Sequence, residues 1–200
     1  MGGPMTGPAT PAAGASPMHR LEPGRVALML FIAMEIMFFG GLISSFSVFR
    51  FGPVAWPPPD QPRLPIPITA LNTLVLLVSG LTFFLALPAL RSSDQNQFKK
   101  LLTWTMVLGT LFLGIQGMEW VKLLRFGLTV HGSIFGGFFY CLVGTHAVHV
   151  LGGLVALVWV WARAQRGRYD AQRSLGVELC RIYWFFVVAL WPILFVLVYL

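Results

Sequence analysis

Several ionisable side chains stand inside long apolar stretches, and each asks for a chemical reason. Glu35 sits among Met34, Ile36, Met37 and Phe38. An ionisable group at the centre of a membrane helix costs at least about 2.5 kcal/mol on insertion scales. A carboxyl there is either neutral and packed, shaping structure or lipid contact, or a group that exchanges protons during function. His146 and His149 lie three apart in GTHAVHVLGG and share one helix face. Neighbours on one face cannot supply the two opposite axial ligands of a single heme. A metal site there would need ligands from other helices, with Glu119 and Glu178 as candidates, and no HExxH or carboxylate-histidine repeat supports one. Interhelical hydrogen bonding or contact with a lipid headgroup is the expected role of the two histidines. Glu178 and Arg181 form an i,i+3 pair able to neutralise itself at a membrane interface, and Glu119 with Lys122 forms another. Cys141 and Cys180 lie in apolar runs, apart from any CxxC or Cys-His cluster, and read as packing residues.

The elements that hold these residues are set by the solvent. Of 200 residues, 56% are hydrophobic and 10% charged, with a mean hydropathy of +0.76, which points to the bilayer. Spanning it takes roughly 20 apolar residues at about 1.5 Å rise each. Five runs qualify, near Val26–Phe49, Thr69–Leu90, Leu101–Val121, Ser133–Ala162 and Val177–Leu200. Residues 1–25, rich in Gly, Pro and Ala, read as a disordered tail without the order of a signal peptide. Residues 26–200 form one membrane domain. The stretch Arg50–Ile68 (with GPVAWPPPDQPRLPIP) is too proline-dense for a helix interior or a central strand and reads as an extramembrane loop.

The fold class expected is therefore all-α and integral to the membrane, a bundle of five transmembrane helices. The runs lack the two-residue alternation of barrel strands. Lys and Arg number nine on the side of the N-terminal tail and four on the other, which predicts a cytoplasmic N-terminus and a C-terminus on the opposite face. The net charge of +7 thus encodes topology, and the basic residues do not line a helix face as a nucleic-acid surface would. Small residues four apart (Gly40 with Ser44, Gly41 with Ser45, Gly132 with Gly136) predict places where helix backbones approach closely. Walker A, GxSxG, Rossmann and CxxCH patterns are missing, so catalytic and cofactor-binding residues, metal ligands included, are expected to be none on this chain. A stand-alone heme or metal cytochrome using His131, His146 and His149 is the competing class. A transporter is disfavoured, since no internal repeat or midplane charged site is visible.

The polar islands form an ordered series: MEIMFFGGL, WPPP, LNTLVLLVSG, IQGMEW, GTHAVHVLGG and VELCRIYWFFVVALW. This series resembles subunit III of cytochrome c oxidase from about Val26 to Leu200, in the five-helix bacterial form that lacks the first two helices of the seven-helix version. The resemblance implies an accessory subunit of a heme-copper terminal oxidase in the cell inner membrane. It would bind no heme or copper itself, pack against the catalytic subunit I with subunit II nearby, hold structural phospholipid and sustain proton uptake and stability. It also implies that Glu35 is the family's buried carboxyl, and that Asn72, His146, His149 and Glu178 occupy its polar positions; Arg181 joins them as a lipid or interhelical contact. The family typically reads YWHFVD where this chain has Phe185 and Val188 in place of the His and the Asp. A quinol oxidase subunit, or a subunit III-like protein accompanying nitric oxide reductase, would share the fold; the WPPP loop resembles the cytochrome c oxidase and nitric-oxide-reductase-linked versions more than the quinol one.

Overall fold

The computed structural model describes residues 22–52, 65–129, 131 and 133–200. Five helices follow one another: α1 (Pro23–Arg50), α2 (Ile66–Arg91), α3 (Gln95–Arg125), α4 (Ile134–Gln165) and α5 (Leu175–Tyr199). All five are long and apolar enough to cross a membrane, and the described residues contain no strand. The expected tail over 1–21, most of the proline-dense loop with its WPPP segment, and Gly132 fall outside the described residues.

The helices run past the apolar stretches that announce them. α1 opens at Pro23, where a missing N–H costs nothing in the first turn, so the last three residues assigned to the tail are helical. α3 opens six residues before Leu101, because the Asp94 side chain accepts the Gln97 N–H at 2.9 Å and caps the helix there. Ser133 caps α4 in the same way through the Gly136 N–H. Caps and interfacial basic residues extend a helix without adding hydropathy. The far ends of α3 and α4 close on Gly127 and Gly167, whose φ values of +92° and +64° lie in the left-handed region. That turn lets the N–H groups of Leu128 and Arg168 reach the carbonyls of Leu123 and Arg163.

α2 and α3 form a close hairpin, α4 and α5 another, and the contacts of α2 with α5 and of α3 with α4 close a four-helix ring. Trp184 of α5 fills its centre. A Cβ on Gly109 of α3 would stand 2.8 Å from the indole, and one on Gly153 of α4 would stand 2.9 Å from it. Its Nε1 donates to Ser79 Oγ of α2 at 3.1 Å, so one side chain touches every other helix of the ring. α1 lies outside, packed on α4 and α5.

The close approaches expected at Gly40 and Gly41 are not made among the described residues. A Cβ at either would meet nothing within 4 Å, and Ser44 and Ser45 are exposed beside them. Spacing marks small residues but cannot say which of them face a neighbour; Gly80, Gly109 and Gly153 do. Gly136 is also tight, against the Thr129 carbonyl.

Candidate functional site

Near the middle of α1, Glu35 meets His149 of α4. His149 Nδ1 lies 2.8 Å from the Thr145 carbonyl, which can only accept, so Nδ1 carries a proton. Nε2 lies 2.9 Å from Glu35 Oε2. A polar partner lowers the cost of a carboxyl at this depth. The two side chains keep 16% and 15% of their surface exposed, so the pair sits at the edge of the bundle rather than in its core. Phe39 packs edge-on to the His149 ring at 5.1 Å.

The two histidines that share a face in sequence part company in space. His146 is 1% exposed and stacks on Trp191 of α5 at 5.2 Å and 25°. Neither of its ring nitrogens has a hydrogen-bond partner among the described residues, so packing holds it and the expected interhelical hydrogen bond is not formed. Asn72 joins α2 to α3, its Nδ2 donating to the Phe112 carbonyl at 3.0 Å. Beside it Gln116 donates to the Tyr199 hydroxyl, and Trp191 Nε1 to Thr73.

Glu178 pairs differently from expectation. Its carboxylate takes Arg25 of α1, Arg91 of α2 at 3.0 Å and the Ser174 hydroxyl at 2.8 Å, and so ties three helix ends together. Arg181 is left out of that group and lies over the Phe185 ring at 5.7 Å. The i,i+3 neighbour loses because Arg25 and Arg91 arrive from other helices on the side the carboxylate faces. The Glu119–Lys122 pair does form, at 2.7 Å. Phe185 stacks on Phe84 of α2, and Val188 presses on the space a Cβ of Gly80 would occupy, at 3.1 Å. The two replaced polar positions thus make a dry α2–α5 seam.

A basic recess of about 650 Å³ opens at the α4–α5 connection, lined by Arg163, Arg168, Tyr169 and Arg173. Tyr169 is buried, which raises its hydroxyl above the ordinary tyrosine range, with the Arg163 guanidinium opposing the shift. The Tyr169 carbonyl accepts from Gln95 Nε2 at 3.2 Å, binding this connection to the start of α3. Leu175 and Gly176 lead from the recess into an apolar groove of about 380 Å³ between Leu28, Trp159, Leu179 and Tyr183. Sequence reasoning counted these arginines for topology and missed their convergence; the density of basic residues between Arg163 and Arg173 was the available signal.

Among the described residues no three His, Cys, Asp or Glu side chains gather closely enough to hold a metal ion. His131 is exposed at the α3–α4 turn, His146 is in the core and His149 is bound to Glu35, so the three ligands of the cytochrome alternative do not converge. Residues 14–200 match the family model for cytochrome c oxidase subunit III. The chain belongs to that family. It is 34% identical to cytochrome c oxidase subunit 3 of Synechocystis sp. over 86% of this chain and 73% of that one. It is 31% identical to the Thermostichus vulcanus protein of the same name over 88% and 86%, and 29% identical to that of Corynebacterium diphtheriae over 91% and 90%. The polar groups above join the helices of this subunit III bundle to one another.

Proposed function

We propose that this chain is the noncatalytic subunit III of a heme-copper terminal oxidase of aerobic electron transport. The match to the family over residues 14–200, on a bundle of five spanning helices, carries the reading. In it the chain lies in the cell inner membrane with its N-terminus cytoplasmic and C-terminus periplasmic. It packs against the catalytic subunit I and neighbours subunit II, and the heme and copper belong to those partners. The work of this chain is mechanical and electrostatic. The Glu178 cluster fixes the helix ends, and the Glu35–His149 pair gives a membrane carboxyl a partner at the bundle's edge, where it supports the turnover lifetime of the partner subunit.

Phospholipid is the ligand of this subunit. The basic recess at Arg163, Arg168 and Arg173 supplies cations for a phosphate, and the apolar groove that continues from it suits an acyl chain. The test is a tagged pulldown in mild detergent from native membranes, with a visible spectrum and identification of the partners. A heme-rich complex with a large oxidase subunit is expected. A colourless chain without such a partner overturns the reading.

A further inference from the structure

The four-helix ring has two tryptophan layers, and they differ in how their polar groups are matched. Around Trp184 the indole donates to Ser79, Ser79 donates to the Thr105 carbonyl at 3.2 Å, and the Thr82 and Thr105 hydroxyls meet at 2.9 Å. Around Trp191 three buried atoms are left over. Asn72 Oδ1 and both ring nitrogens of His146 have no partner among the described residues, and both side chains lie in the core. The two residues flank one indole. His146 stacks on its face, and its Nε1 donates at 2.8 Å to Thr73, the residue after Asn72. Asn72 is fixed on the Phe112 carbonyl, and the Phe112 ring stands edge-on to the same indole at 5.1 Å.

The leftover atoms ask for donors and an acceptor at once. The end of Asn72 that faces the Phe112 carbonyl is its NH2, so the free end is an acceptor. Among the described residues no carboxylate lies within ion-pair distance of His146, and a neutral imidazole carries one N–H and one bare nitrogen. The neighbours are spent elsewhere: the Thr73 hydroxyl donates to the Thr69 carbonyl at 2.8 Å, and Gln116 donates to Tyr199 at 3.0 Å. We propose that the ring holds an ordered water cluster beside Trp191, in which one water donates both to Asn72 Oδ1 and to the bare nitrogen of His146. A second water accepts from the imidazole N–H. Buried waters serve such groups, making about three hydrogen bonds each. A metal cation could not accept from the ring, and an anion could not donate to the two acceptors. The way in is polar as well: Gln116, Glu119 and Lys122 follow at three-residue spacing on α3, about 9 Å from the buried amide to an ammonium in contact with solvent. The site rests on the packing of the ring and not on the identity of any partner subunit.

The test is electron cryomicroscopy of the purified complex, at a resolution where other enclosed waters are seen. A density peak is expected about 2.7–3.2 Å from both Asn72 Oδ1 and a ring nitrogen of His146. A map that shows other enclosed waters and none there overturns the proposal. So does one in which His146 Nδ1 bonds the Leu142 carbonyl of its own helix, as His149 bonds that of Thr145. Substitution gives a second reading. Asn72→Leu and His146→Phe each leave the opposite side of the bridge unmatched, and each should lower the temperature of half-dissociation in detergent. The double variant should fall by less than the two falls added, because both ends of the bridge are then gone. Falls that simply add overturn the shared water. If a variant fails to assemble, the map of the parent decides.

Discussion

α1 and the four-helix ring solve the same problem in different ways. In α2, half of the most apolar 18-residue window is buried within the chain, and in α1 only 6% is, so burial against its own chain cannot be what fixes α1. The ring is held by interdigitation, with Trp184 lodged against Gly109 and Gly153 and Trp191 against Phe112 and His146. α1 is fastened by polar contacts at three heights, Arg25 to Glu178, Glu35 to His149, and Arg50 to the α5 carbonyls, with ring contacts such as Phe46 on Phe138 between them. In lipid, where apolar surface has no water to escape, both devices work, but they fail under different substitutions.

The sharpest separation comes from the ring. Trp184→Ala removes a fully buried side chain that touches three helices, and is expected to cost about 3–5 kcal/mol. It should show as loss of the chain from the purified complex; recovery at parental yield would mean that the ring is not packed around this residue. On α1, Glu35→Arg puts a fixed cation near mid-membrane beside His149, at a cost of about 2.5–3.5 kcal/mol, and assembly should fail. Glu35→Gln keeps the size and a hydrogen-bonding group. It should assemble normally and show itself only as a shorter turnover lifetime of the complex. Glu178→Ala leaves Arg25 and Arg91 facing each other. Because both arginines are partly exposed, the expected loss is about 1–2 kcal/mol, read as a lower temperature for half-dissociation in detergent. Gly41→Ala lies at the other extreme: open space around it means no clash, and removing a helix glycine should leave the same temperature unchanged or raise stability by up to about 1 kcal/mol.

Five membrane helices were legible because hydropathy over 20 residues is a local property and the bilayer reads it directly. The family was legible in short polar segments for a similar reason, since each keeps its own local spacing. What could not be read was who meets whom. Glu178 has Arg181 one turn away in sequence, yet its cationic partners come from 153 and 87 residues distant. Glu35 finds His149 across 114 residues. The glycines illustrate the same limit: Gly40 and Gly153 look alike in a string, and only the rotation of each helix about its axis decides which one faces an indole.

The position of α1 also carries a consequence in time. α1 precedes α2 to α5 in the chain, but among the described residues its backbone approaches neither α2 nor α3, only α4 and α5. Arg25 and Arg91 both emerge from the ribosome long before the carboxylate that joins them, in α5. A nascent chain that has inserted α1, α2 and α3 therefore has nothing among them on which to dock α1, and the long-separated contacts close only once α4 and α5 have been made. A chain cut short before Ser174 would leave Arg25 and Arg91 without the carboxylate that joins them, and α1 held only by its α4 contacts.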